Sequence, residues 1–136
     1  MADEYSAGAI IFRKNKYLVL QYEEGHWDLV KGHIEKDESE KETVVRETAE
    51  ETGICNLIFV DGFRERIEYK YPREEKISHK EVIFLLAETK TEKIMLSSEH
   101  IGYKWLSFDD AMKRMTYENA KTVLKKANDF LKKAKS

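Results

Sequence analysis

The sequence contains little of what would mark a secreted or membrane-bound protein. Its 136 residues include one proline and one cysteine, Cys55, so no disulfide can form within the chain. No apolar run approaches the ~20 residues that span a bilayer. The first residues lack the basic and apolar regions of a signal peptide. We therefore expect a cytoplasmic protein with no membrane partner.

An excess of basic charge is also absent. The formal net charge is −2, which does not favour a nucleic-acid-binding protein. The charge is unevenly distributed: residues 32–54 hold eight acidic and three basic residues, whereas residues 111–136 hold two acidic and eight basic ones. The basic segment has the pattern of a solvated helix face, with recruitment of polyanions as the alternative, and the acidic segment needs a separate explanation.

The order of strand and helix patterns predicts one α+β domain over residues 1–136, with helices covering a mixed sheet. Strands are expected where apolar residues cluster or alternate with polar ones, at residues 7–12, 17–22, 27–30, 57–71, 81–87 and 103–106. The first two form a predicted hairpin, and residues 72–78 are predicted to be a charged loop.

Two regions have helical patterns. Ser39 with Glu42 forms a capping box, and Gly53 is a natural stop, so a helix is predicted from Ser39 to Thr52. A second helical region begins at Ser107. The apolar stripe of its last helix is formed by Ala120, Val123, Leu124, Ala127 and Leu131.

The first of these helices has few apolar residues for a core element. Its predicted apolar face consists of Val44, Val45 and Ala49. Glu47, Glu50 and Glu51 lie within an arc of about 100° on one face. Like charges at this spacing repel one another, so the cluster favours a counter-charge. A divalent cation such as Mg²⁺ would supply it, and a solvated acidic face with Arg46 paired to Glu50 is the alternative.

The spacing within residues 32–54 resembles the Nudix box, G-x5-E-x7-R-E-U-x-E-E-x-G-U, in which U is a bulky apolar residue. Ile54 fits the last position, whereas Thr48 replaces an apolar residue. The matching fixed positions are Gly32, Glu38, Arg46, Glu47, Glu50, Glu51 and Gly53. This resemblance implies a Nudix fold, in which a mixed β-sheet lies between α-helices. It also implies hydrolysis of a nucleoside diphosphate linked to another group, aided by Mg²⁺ or Mn²⁺.

The resemblance also implies roles for these residues. The three helix glutamates and the Gly32 carbonyl would hold the metal, and one glutamate is an alternative general base. Arg46 would orient the glutamates, and Glu38 would support the preceding loop.

Residues outside the box resemble asymmetrically cleaving diadenosine tetraphosphate hydrolases. Residues 26–33, HWDLVKGH, are similar to H-W-x-P-P-K-G-H, with Leu29 and Val30 in place of the two prolines. Residues 62–69 resemble G-F-K-R-E-L-N-Y, and residues 98–106 resemble S-x-E-H-x-x-Y-R-W-L.

This likeness implies a small-molecule nucleotide substrate. Tyr69 and Tyr103 would stack on adenine, with packing between strands as the alternative explanation. Glu99 would add a carboxylate, as metal ligand or base. The phosphates would be contacted by Lys31, His33 and Lys80.

Three functions are compared. We favour hydrolysis of a bis(5′-nucleosyl) tetraphosphate, with diadenosine tetraphosphate giving ATP and AMP. The first alternative is a Nudix pyrophosphohydrolase for oxidised nucleotides or RNA 5′ ends, which the basic segment keeps open. The second is a non-catalytic nucleotide-binding module, which we would expect to have lost box carboxylates. The general base, the number of metal ions and the oligomeric state stay open.

Overall fold

The computed structural model describes residues 2–135. Its strands are β1 (Glu4–Arg13), β2 (Lys16–Tyr22), β3 (Trp27–Asp28), β4 (Val30–His33), β5 (Ile58–Phe59), β6 (Glu65–Arg73), β7 (Lys76–Glu88) and β8 (His100–Leu106). Its helices are α1 (Glu40–Thr52), α2 (Phe108–Arg114) and α3 (Glu118–Lys135). Among the described residues, no helix combines the length and apolarity needed to cross a membrane.

Strand β1 organises a mixed sheet. It pairs in parallel with β7 along most of its length, from Glu4 opposite Lys80 to Phe12 opposite Glu88. Its other edge is divided between two antiparallel partners, because β4 pairs with its first half and β2 with its end. Strand β2 also pairs with β3 and β8, and β7 also pairs with β5 and β6.

Helices cover both faces of this sheet. Side chains alternate along β1, so that Ile10 packs with residues of α2 and α3, whereas Ala9 and Ile11 pack with Val44 of α1. The larger of the two clusters of buried residues lies between the sheet and helices α2 and α3. The predicted α+β fold, a mixed sheet between helices, is confirmed.

Some predicted strand boundaries were wrong. The strand expected at residues 57–71 is divided into β5 and β6 by a turn at Gly62, which has a φ of 91°. The strand expected at residues 27–30 is likewise two strands, β3 and β4. The loop expected at 72–78 is mostly paired, because β6 and β7 form a hairpin that turns at Glu74 and Glu75.

Helix α1 begins and ends where the sequence predicts. Ser39 Oγ accepts a hydrogen bond from the Glu42 N–H at 3.1 Å, and the Glu42 carboxylate accepts one from the Ser39 N–H at 2.8 Å. Gly53 ends the helix in the left-handed region, with a φ of 79°. Between these caps α1 packs against β4 and β1, and the Glu47 carboxylate lies beside Gly32 in β4.

The inner face of α1 differs from the prediction. Val45 was expected in the apolar face, but it is exposed because it points away from the sheet. Val44 is buried. The other buried side chains of α1 are Thr43, Thr48, Glu51 and Thr52.

Candidate active site

Arg46 joins the loop before α1 to the helix glutamates. Its Nε donates to Glu38 at 2.7 Å, and its Nη2 donates to the His33 carbonyl at 2.9 Å. Its Nη1 lies 2.9 Å from Glu47 and 3.4 Å from Glu50. The hydrogen bonds from this guanidinium and from Thr43 lower the pKa of Glu38 to about 2. Arg46 therefore gathers three box carboxylates around one charge.

Glu51 is the most deeply buried acid of the box. Its exposed fraction is 4%, and its Oε1 finds no hydrogen-bond partner within residues 2–135. Burial, and then the neighbouring Glu47, raises the pKa of Glu51 to about 9. His100 Nε2 lies 3.4 Å away without hydrogen-bond geometry, and burial lowers the pKa of His100. A cation beside Glu51 would lower the pKa of Glu51, because it would stabilise the charged carboxylate.

Gly32 leaves room for Glu47. A Cβ atom added at Gly32 would overlap the Glu47 carboxylate, so a larger residue would displace that side chain. The two residues line a polar cavity of about 380 Å³ with Glu99. The other residues that line this cavity are Tyr22, Lys31, His33 and Lys80.

The carboxylates are close together but are not a closed metal cage. Within residues 2–135, no three acidic, histidine or cysteine side chains are arranged to enclose an ion. Glu50 is 58% exposed and turns toward Arg46. Mg²⁺ is usually held by one or two protein carboxylates, several waters and substrate phosphates. The oxygen donors of Glu47 and Glu51, one of them unpartnered, fit this type of site.

Basic side chains lie opposite the carboxylates. Burial lowers the pKa of Lys80, and the ammonium of Lys31 lowers it further. Burial would also lower the pKa of Lys31, but the Asp28 carboxylate, 2.9 Å from its Nζ, raises it. His33 is exposed at the cavity edge. The structure therefore brings together positive groups and a carboxylate cluster, an arrangement suited to a metal-bound polyphosphate.

A second, less polar cavity adjoins the first. It has a volume of about 390 Å³, which is within the usual range for small-molecule sites. Lys31 lines both cavities, so this residue lies at their boundary. The other residues lining the second cavity are His26, Asp28, Ile67, Tyr69, Tyr71, Phe84, Tyr117, Asn119 and Ala120.

The structure places the two predicted base-stacking tyrosines apart. Tyr69 lines the second cavity. Tyr103, which is 37% exposed on β8, is not among the described residues that line either cavity. Tyr117 lines the cavity, and its ring centre lies 5.6 Å from that of His26. The sequence analysis does not predict a role for Tyr117, whose one signal is an aromatic residue just before a helix in the basic segment.

Comparisons with known proteins show what this chain is similar to. The family model "NUDIX domain" matches residues 3–127. The asymmetrical bis(5′-nucleosyl)-tetraphosphatase of Rattus norvegicus is 37% identical over 93% of this chain and 94% of its own length. An RNA pyrophosphohydrolase of Nitratiruptor is 30% identical over 79% of this chain and 74% of its own.

A solved structure extends the likeness to three dimensions. The crystal structure of a C. elegans Ap4A hydrolase binary complex has a TM-score of 0.83 and 31% identity. The alignment covers 94% of this chain and 97% of that one. The similarity therefore extends over nearly the whole fold.

Proposed function

Because the chain belongs to the Nudix family of hydrolases, we propose that it cleaves a bis(5′-nucleosyl) tetraphosphate asymmetrically. The products would be a nucleoside triphosphate and a nucleoside monophosphate, ATP and AMP from diadenosine tetraphosphate. The similar rat and worm proteins, which bear the names of such enzymes, support this choice over other Nudix substrates.

One observation carries the proposal: an aromatic cavity and a carboxylate–lysine cavity meet at Lys31. A nucleotide needs an apolar surface for its base and a charged surface for its phosphates. The faces of Tyr69 and Tyr117 offer the first, since aromatic rings stack on bases. The polar cavity offers the second, because lysine binds phosphate as a compact charge.

The metal of this proposal is Mg²⁺, with Mn²⁺ as the alternative. Glu47 and Glu51 would hold it with the Gly32 carbonyl, and Glu50 and Glu99 are further candidate ligands. When bound, the ion would offset the charge of the phosphates and make water a better nucleophile.

The remaining steps belong to side chains of the protein. Lys31 and Lys80 would bind the phosphates, with His33 at the cavity edge. One carboxylate, Glu99 or a box glutamate, would accept the proton of the attacking water. Because phosphoryl transfer depends on positioning and electrostatics, these groups need no covalent intermediate. We place the reaction in the cytoplasm, in keeping with an exposed, unpaired Cys55.

The first test is turnover of diadenosine tetraphosphate with Mg²⁺, with products separated by chromatography. 8-oxo-dGTP and a 5′-triphosphorylated RNA are assayed in parallel. ATP and AMP in equal amounts, with slow cleavage of the other substrates, would support the proposal. Two ADP per substrate would contradict the asymmetry, and faster cleavage of the RNA or the oxidised nucleotide would make that alternative the function.

A matched pair of tyrosine variants tests the base cavity. We expect Tyr117→Ala to raise KM about tenfold, since base stacking contributes roughly 1–3 kcal/mol. Tyr103→Ala should change KM less than about twofold, because Tyr103 lies outside the cavity. A larger effect at Tyr103 would restore the role that the sequence predicts for it.

A further inference from the structure

Residues 28–31 lie between the two cavities and differ from the proline-containing segment that they resemble. Leu29 and Val30 occupy the proline positions, and both side chains are buried. Leu29, unlike a proline, retains a backbone N–H. A buried N–H requires an acceptor, so this departure in sequence creates a demand that a proline would not.

The carboxylate of Asp28 is the acceptor for the Leu29 N–H, and it also contacts Lys31. Its Oδ1 accepts a hydrogen bond from the Leu29 N–H at 2.7 Å, and its Oδ2 accepts one from Lys31 Nζ at 2.9 Å. Asp28 is only 2% exposed. A buried carboxylate is costly unless it is paired, and replacing such a pair by apolar groups is often neutral or stabilising. The pair therefore calls for a reason other than stability.

The position of Lys31 supplies that reason. Its side chain is flexible, and the residue borders both the cavity suited to a base and the cavity suited to phosphates. Lys80 lines the same polar cavity and repels it. Without a fixed partner, the ammonium of Lys31 would move, and misplacement by about 1 Å can cost a factor of about 100 in rate.

We propose that Asp28 is a positioning residue that holds the Lys31 ammonium at the boundary of the two cavities, where it aligns the phosphates of a bound nucleotide with the glutamates. The same carboxylate accepts a hydrogen bond from the Leu29 N–H, a group that a proline at this position would lack. This inference rests on the proposed nucleotide hydrolysis.

A double-mutant cycle tests the inference with Asp28→Asn, Lys31→Gln and the double variant. Asparagine keeps an acceptor for the Leu29 N–H and nearly the same volume, but it removes the charge. We expect Asp28→Asn to lower kcat about tenfold to a hundredfold and to change KM less than about threefold. In the Lys31→Gln background the same change should alter kcat less than about twofold. Asp109→Asn, at an exposed site of α2, controls for loss of one negative charge.

Three results would overturn the inference: an unchanged kcat in Asp28→Asn, an equal loss in both backgrounds, or unfolding of both variants that carry the Asp28→Asn change. The last result would assign Asp28 to holding the loop. If the wild-type protein does not cleave the dinucleotide, the proposed function fails by itself. The cycle is then measured with the nucleotide that the wild-type protein hydrolyses, and the coupling between the two residues decides the inference.

Discussion

Helices α1 and α3 lie on opposite faces of the same sheet but bury different kinds of side chain. The buried residues of α3 are Ala120, Val123, Leu124 and Ala127, all apolar. The buried face of α1 contains one aliphatic residue, Val44, beside three threonines and Glu51. Helix α3 therefore contributes mainly apolar packing, and α1 contributes carboxylates to the site.

The two helices are also held differently. α3 is held by burial of its apolar stripe, whereas α1 depends on its capping box, Gly53 and the Arg46 network. The free energy of unfolding should consequently respond most to mutations of the buried residues of α3, and kcat should respond most to mutations of the glutamates of α1.

The largest expected effect is on activity, at α1. Glu50→Gln should lower kcat by about a thousandfold, close to 4 kcal/mol of transition-state stabilisation. Stability should change by less than about 0.5 kcal/mol, because Glu50 is exposed. Asp129→Asn on α3 is the control, for which we expect wild-type turnover. Steady-state kinetics with thermal unfolding would measure both quantities, and full activity in Glu50→Gln would remove Glu50 from the metal site.

The second prediction concerns stability, at α3. Leu124→Ala deletes a fully buried side chain and should lower the free energy of unfolding by about 2–5 kcal/mol. The matched change on α1, Val45→Ala, should cost under about 0.5 kcal/mol, since Val45 is exposed. Urea unfolding would compare the two variants. Equal losses would mean that Val45 is packed as tightly as Leu124, which would contradict its exposed position on α1.

The third prediction is a pH dependence at Glu51. Its pKa is about 9 in the folded protein and 4.5 as the reference value. Between these values the folded state binds a proton that the unfolded state has lost, so stability falls as pH rises. In the presence of EDTA, the free energy of unfolding of the wild-type protein should fall by up to about 1.4 kcal/mol per pH unit relative to that of Glu51→Gln. Denaturant titrations from pH 5 to about 9 test this slope, and parallel curves for the two proteins would refute it.

The smallest expected effect is at Thr48, which replaces an apolar residue of the box pattern. Its hydroxyl is buried without a hydrogen-bond partner in the part of the chain that the structure describes. Thr48→Val keeps the branched shape and removes this group, so it should stabilise the protein by about 1 kcal/mol. Thermal unfolding would detect the gain. A loss instead would indicate that the hydroxyl has a partner such as water.

Local sequence was sufficient to predict α1. Ser39 and Gly53 define its ends through contacts within the same turn, and Arg46 reaches Glu50 across one turn. The exposure of Val45 could not be read from the sequence in this way, because it depends on how the helix is rotated against the sheet. The buried contact between His100 and Glu51 likewise joins elements that are distant along the chain.

Dependence on contacts between distant parts of the chain also explains why the sequence did not show which tyrosine borders the cavity, or that the strand expected at residues 57–71 is divided. Tyr69 and Tyr103 both lie on strands, but only pairing between strands decides which one borders the cavity. Tyr117 reaches the cavity through the docking of α3, which its own segment does not reveal. A turn at Asp61 and Gly62 separates β5 from β6, and the periodicity of the side chains did not show this turn.

The pairing of β1 with β7 has a consequence for how the chain folds. The first strand lies beside one of the last, with Glu4 opposite Lys80. During synthesis, the edge of β1 that pairs with β7 therefore stays unpaired until most of the chain has been made. Pairings between residues so far apart in sequence slow folding, since a large loop must close first. A nascent chain that stops before β7 would leave this edge of β1 unpaired and prone to aggregation.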